Sequence, residues 1–271
     1  MKQIFLTIIV IVISFTLFGC SLDSSQKIPK IIFTNEQGET ITREDLKGIT
    51  GEVNYQIISN LNIPDEADKL HKLGRQAGGN GDYDEAIELF NKAHKLAPNW
   101  PYPVYDLAYT YLLKQDLKNA LLNYELTDKL APEGFFTAKT AVWTLKKEQS
   151  GKFSKGIYAA YVLLESIEDQ DMKLNILKQL TEQNPNFAPG WKELSTLLDD
   201  NIEKMAMIEK GLQSDPDLET KGVLLINKAY ILALSDKQEE AIKILGELIL
   251  DKNSTLGTKE TAKLSLSLMV E

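Results

Sequence analysis

The feature that most limits how this 271-residue chain can fold is an internal period of 34 residues that begins at Ala67. Leu73-Gly74, Gly81, Tyr83, Ala86, Phe90, Ala93 and Pro98 return as Leu107-Ala108, Gln115, Leu117, Ala120, Tyr124, Thr127 and Pro132. Periods of this length mark stacked units that cannot bury their apolar faces alone. Within each unit, two amphipathic stretches of about 13 residues flank a polar break, so each unit is expected to be a helical hairpin. The breaks are Gly78 to Asp82 and Lys114 to Asp116. Gly74, Ala86, Ala108 and Ala120 are small where helices must approach closely, and Tyr83, Phe90 and Tyr124 are placed to fill the gaps. Pro98 and Pro132 end the second helices, because proline has no amide to continue the ladder. Asp82 and Glu85 read as an N-cap with its reciprocal carboxylate.

This pattern resembles the tetratricopeptide repeat, most specifically over residues 67–134. A further unit fits later, with Ala229, Leu232, Asp236, Ala241, Leu245 and Leu248 in corresponding places and Asn253 where a proline would stand. Leu256 to Met269 would then cover the open end of the stack. The expected fold is an all-α solenoid of such hairpins, preceded by a short β-hairpin-like segment. Its divisions are 64–134 for two regular units, 135–217 for degenerate helices, 218–255 for a further unit and 256–271 for the cap. Between Pro132 and Asp217 five helices are predicted, at about 135–149, 153–166, 170–183, 188–199 and 201–214. Five is odd, so one helix is unpaired or the stack changes phase, which would divide the solenoid into two packed lobes. Trp191, Leu194 and Leu198 read as the first helix of a shortened unit ending at Pro216, leaving 135–149 or 170–183 as the odd helix. In the extension over 31–63, Ile31 to Thr34 and Glu39 to Thr42, joined through Glu36-Gln37-Gly38, read as a hairpin.

The N-terminus has its own logic. Lys2 is the only charge before Asp23, and Ile4 to Phe18 is almost unbroken apolar chain. Residues 1–19 read as an export signal, too short for the ~20 residues that span a bilayer. Cys20, the single cysteine, follows Leu17-Phe18-Gly19. That arrangement resembles the lipobox of bacterial lipoproteins. The resemblance implies thioether acylation of Cys20, cleavage that makes it residue one, and acylation of its amine. Acyl chains contribute about 0.8 kcal/mol per buried CH₂, enough in combination for stable membrane anchoring. Residues 20–30 would be the tether. Ser21, rather than Asp, implies the outer membrane where the host has one, and otherwise the outer face of the cytoplasmic membrane.

Thirty Lys and Arg against 39 Asp and Glu give a net charge of -9, which removes the electrostatic attraction that nucleic-acid binding needs. One cysteine forms no intramolecular disulfide and no Cys-x-x-Cys zinc site. His71 and His94 lie on different helices without ligand spacing and are expected at the surface. Gly78-Gly79-Asn80-Gly81 is a turn, not a phosphate loop after a strand, and there is no Gly-x-Ser-x-Gly elbow. No cofactor, no metal and no catalysis are expected.

The inner face remains. Resemblance to the tetratricopeptide repeat implies a concave groove, lined by the first helix of each hairpin, that binds an extended peptide or a partner's helix. Tyr102, Tyr105, Tyr109 and Leu112 would line it, spaced three, four and three apart on one helical face, with Ile226 and Tyr230 in similar places later. Tyrosine offers a large apolar contact with a hydroxyl that can stay wet. His71 and Arg75 fall on the inner face of the first repeat and Asp106 near that of the second. The Lys and Asn pattern of a two-carboxylate clamp is absent. The expected function is a membrane-anchored, extracytoplasmic adaptor for a protein partner. The alternative is a lipoprotein that binds a peptide or glycan for a transport system.

Overall fold

A computed structural model of the chain describes residues 30–34, 40, 54–58 and 61–269. Residues 1–62 and 63–271 form two compact units. The segment expected to be an export signal, Cys20 and nearly all of the expected tether lie outside the described residues.

In the first unit, β1 (Lys30–Thr34) pairs antiparallel with β2 (Asn54–Ile58). The register sets Ile31 opposite Ile57, and both are buried. β2 is a strand beyond the expected hairpin, whose second arm over 39–42 lies almost wholly outside the described residues. Of that arm only Thr40 is described, as an isolated bridge. β2 carries Tyr55, Ile57 and Ile58, residue types that suit a pleated, half-buried surface.

The second unit is helical. Its helices are α1 (Asp65–Gly79), α2 (Tyr83–Leu96), α3 (Pro101–Leu113), α4 (Leu117–Leu130), α5 (Ala138–Gln149) and α6 (Ile157–Leu163), the last followed by a 3-10 turn over Leu164–Ser166. The chain continues through α7 (Gln170–Gln183), α8 (Ala188–Leu197), α9 (Asn201–Gln213), α10 (Leu218–Leu234), α11 (Gln238–Leu250) and α12 (Leu256–Met269). None of the described helices is long and apolar enough to cross a membrane.

The 34-residue correspondence has a backbone basis. Gly81 and Gln115, one period apart, both take a left-handed φ, +87° and +60°, at the turn inside their hairpins. Glycine does this without steric cost, and Gln115 does it against about 1–2 kcal/mol. Ala86, Ala108 and Ala120 are fully buried, and Phe90 and Tyr124 are nearly so. Gly74 lies directly under Phe90: a Cβ there would stand 2.6 Å from the ring. α2 and α4 stop at Leu96 and Leu130, two residues before Pro98 and Pro132. The expected capping box at Asp82 does not form, since its side chain makes no cap hydrogen bond. Asp116, one period later, does accept from the Asn119 amide at 3.1 Å.

α1 pairs with α2 and α3 with α4, while α8 pairs with α9 and α10 with α11. α7 packs on α8 ahead of that hairpin, which makes it the odd helix. The expected division into two lobes is not found, because residues 63–271 form one compact unit. α5 closes it by packing against α10, far along the chain, in addition to its neighbour α4. The Leu256 amide donates to the Glu133 carbonyl at 2.6 Å, a second tie between distant segments. α12 packs on α10 and α11, and Ala262 joins Ala229, Leu232, Ala241, Leu245 and Leu248 in one apolar cluster.

Candidate functional site: the inner helices and the α3–α6 groove

α3 starts with Pro101 at its first position, where a missing amide costs nothing. Its next turns bury Tyr102, Val104, Leu107, Ala108, Thr110 and Leu112, so the helix is apolar on several sides rather than along one stripe. Such a helix is enclosed. Tyr102 and Leu112, expected to face a partner, are instead 5% and 1% exposed and belong to the core. At Tyr102 the enclosure comes from the α4–α5 linker. Gly134 and Phe136 adopt φ of +103° and +48°, a tight path that turns two rings inward. Phe135 meets the Tyr102 ring edge-on at 4.8 Å, and Phe136 lies 5.7 Å from it.

Tyr105 is partly enclosed. Its ring lies 5.5–5.7 Å from Tyr124, Phe135 and Phe136, and its hydroxyl is 2.9 Å from Thr137 Oγ1. Burial pushes its phenol upward, with the Thr137 hydrogen bond opposing and the charge of Glu165 adding to the rise. Tyr109 is 37% exposed and is the member of the α3 set with an open face. Burial of the rest of its ring, then the charge of Glu165, raises its phenol too. On α10, Ile226 packs against the C-terminal apolar cluster and Tyr230 is half-buried, its phenol raised by burial.

The inner faces of α1 and α3 meet through charge. His71 Nε2 lies 2.7 Å from Asp106 Oδ2, and Arg75 Nε lies 3.7 Å from the same oxygen. The ring stands edge-on to Trp100 at 4.8 Å and tilted on Phe90 at 5.6 Å. His71 is fully buried, which corrects its expected place at the surface. Its polar edge ties one repeat to the next, and its Nδ1 is buried with no hydrogen-bond partner. His94 is half-buried, and burial lowers its imidazole. Among the described residues, no group of three His, Cys, Asp or Glu could hold a metal ion.

Past Tyr109, the end of α3 and the start of α4 face α6 across a cavity of about 540 Å³. Leu112, Leu113, Leu117, Val162 and Leu163 give it apolar walls, and Tyr83 and Lys155 also line it. Leu163 is 49% exposed. Tyr83 and Leu117 are one period apart, so the repeat itself builds one side of the groove. The other side depends on Glu148. This buried carboxylate accepts from the amides of Gly156 at 2.6 Å and Tyr158 at 2.9 Å, which sets the corner from which α6 starts. Sequence reading missed Glu148, Val162 and Leu163, since a seven-residue helix shows too little period to assign a face. The double aromatic after Gly134 was a usable signal for the enclosure of α3.

One part of the chain has a recognisable relative. Residues 67–100 match the tetratricopeptide repeat. That span covers α1, α2 and the corner before α3, including His71, Gly74, Phe90 and Trp100. Among solved structures, the flexible tandem repeat domain of a bacterial cellulose synthase is 14% identical, covers 73% of this chain and 96% of that one, and has a TM-score of 0.45. YrrB, a TPR protein with an unusual peptide-binding site, is 15% identical over 76% of this chain and 92% of its own, with a TM-score of 0.35. MamA from Desulfovibrio magneticus RS-1 is 15% identical over 68% and 94%, with a TM-score of 0.31. The tetratricopeptide match and the paired helices around it account for the 34-residue period as stacked hairpins.

Proposed function

We propose that this protein is a membrane-anchored, extracytoplasmic adaptor that holds a segment of another protein in the groove between α3 and α6. The observation that carries the reading is the cavity of about 540 Å³ walled by Leu113, Leu117, Val162 and Leu163, the last left 49% exposed on an otherwise acidic chain. Grouped exposed apolar surface of this kind marks a binding site more often than scattered single residues do. Acyl chains on Cys20 would supply the anchor, a reading supported by the lipobox-like Leu17-Phe18-Gly19-Cys20.

Crosslinking in native cells followed by mass spectrometry tests the groove. Wild type is expected to capture a specific protein, and a folded Leu117→Ala/Leu163→Ala variant to lose most of that capture. Equal capture by both would remove the groove from the reading. One observation favours the second reading, a lipoprotein that presents a peptide or glycan to a transporter: the cavity volume falls within the range of roughly 300–1,000 Å³ typical of small-ligand sites. Absence of any enriched protein, with ligand binding by the purified domain, would decide for it. The anchor has a separate test. Metabolic labelling with palmitate is expected to mark wild type and to vanish in Cys20→Ala, with the variant released from the membrane fraction. Unchanged membrane retention of Cys20→Ala would overturn lipid anchoring.

A further inference from the structure

α5 and α10 meet at a buried cluster that no repeat logic requires. Glu219, in the first turn of α10, accepts from the first amides of α5, Thr140 at 2.9 Å and Lys139 at 3.3 Å. Asp217 caps α10, its Oδ1 accepting from the amides of Glu219 and Thr220 at 3.0 and 3.1 Å. Both carboxyl groups converge on one hydroxyl: Thr140 Oγ1 lies 2.8 Å from Asp217 Oδ1 and 3.0 Å from Glu219 Oε2. Thr140, Asp217 and Glu219 are all at least nine-tenths buried, and Asp217 Oδ2 has no partner.

A hydroxyl carries one proton and can donate to one of these oxygens only. Asp217 Oδ1, which already collects two amides at a helix N-terminus, is the oxygen placed to accept it. The remaining approach, between Thr140 Oγ1 and Glu219 Oε2, is favourable when Glu219 itself carries a proton and donates. Two carboxylates sharing a dry site cannot both ionise cheaply.

We propose that Glu219 is a protonated acid in the closed structure and that its proton is a pH-sensitive clasp fastening α5 to α10. Loss of the proton places two negative charges around one hydroxyl and loosens the tie. Burial raises the Glu219 carboxyl well above the ordinary carboxylate range, and the charge of Asp217 raises it further, against the opposing pull of the Thr140 and Lys139 amides. The surrounding elements bring little compensation. From α4 and α5, the Lys139 ammonium is paired with Asp128; α3 and α6 bring the phenols of Tyr105 and Tyr158, both themselves raised by burial. α12 brings Thr258, which packs on Gly222 and is not titratable. At the margin, Lys147 of α5 lies 3.8 Å from Asp215, which is almost wholly exposed.

The sign follows from linkage. A carboxyl raised by folding contributes stability that is full below the unfolded value and is lost as pH rises through the folded one, so the clasp holds in acid and opens towards alkaline pH. Between the ordinary carboxylate value and the raised folded value the opening equilibrium should grow about tenfold per pH unit, and above the folded value it should level off. Hydrogen exchange of the full-length protein between pH 5 and 9, corrected for intrinsic exchange rates, tests this at the start of α5 and of α10. Wild type is expected to lose protection there as pH rises, while Glu219→Gln, which keeps the shape and cannot ionise, stays flat. Flat wild-type protection, or an equal slope in the variant, would overturn the proposal. Infrared spectroscopy reads the proton directly, without depending on how well the variant folds. A buried protonated carboxyl band is expected in wild type over the pH range in which protection falls, disappearing only as pH passes the raised folded value; its absence across the acid range where α5 is protected would refute the clasp.

Discussion

Replacing Phe90 by Ala is expected to destabilise the first hairpin by about 3–5 kcal/mol, the usual cost of deleting a buried aromatic side chain. The ring is 2% exposed and packs with Ala77, Ala86 and Leu107. Opposite it stands Gly74, so α1 has no side chain there to collapse into the hole. α1 is the first helix of the second unit, and in stacked hairpins stability is a sum of repeat and neighbour contributions. The loss should therefore concentrate at the near end. Segment-resolved hydrogen exchange is expected to show α1 and α2 losing protection while α10 to α12 keep theirs. Uniform loss across the unit would show that the first repeat is not a separable element.

Phe187→Ala should cost a similar 3–5 kcal/mol and act differently. Phe187 is fully buried at the corner between α7 and α8, with Phe153 at 5.6 Å and Tyr161 at 5.5 Å, and it shares a cluster with Ile157 and Leu180. Those partners come from the α5–α6 corner, from α6 and from α7, so one ring joins segments that the repeat pattern does not connect. Gly190 nearby has no room to compensate, since a Cβ there would stand 2.9 Å from Leu180 and Thr181 and 3.1 Å from Phe187. A single calorimetric transition is expected, lowered by roughly 6–20 °C for a unit of this size. A shift of less than about 3 °C, or a separate early transition, would mean that the middle helices are not coupled to the rest.

The middle of the chain separates what is legible from what is not. The predicted spans 170–183 and 201–214 correspond to α7 at Gln170–Gln183 and α9 at Asn201–Gln213, because a helix of three or four turns repeats its apolar period several times. The capping aspartates Asp169 and Asp200 mark their starts in the same local way. Which side of α3 faces the core was not legible. Tyr102, Tyr105, Tyr109 and Leu112 share a stripe by spacing, yet Tyr102 and Leu112 are core while Tyr109 is open, and Tyr102 is covered by Phe135 and Phe136 arriving along a linker with two left-handed residues. His71 illustrates the same limit. Its inner-face position was readable, but its burial depends on Trp100, Phe90 and Asp106 converging from three other segments.

The hairpin unit, its 34-residue period, the small and aromatic positions that stack it, and most helix limits are legible in the order of residues alone. All of these depend on residues within one or two turns of each other, where period, caps and proline act directly. The partner of β1, the enclosure of α3, the groove against α6 and the carboxyl cluster between α5 and α10 come instead from long-range packing. Those rest on pairs such as Thr140 with Glu219, 79 positions apart. No local period records such a pair, and closing that loop is favourable only once the helices on both sides are packed.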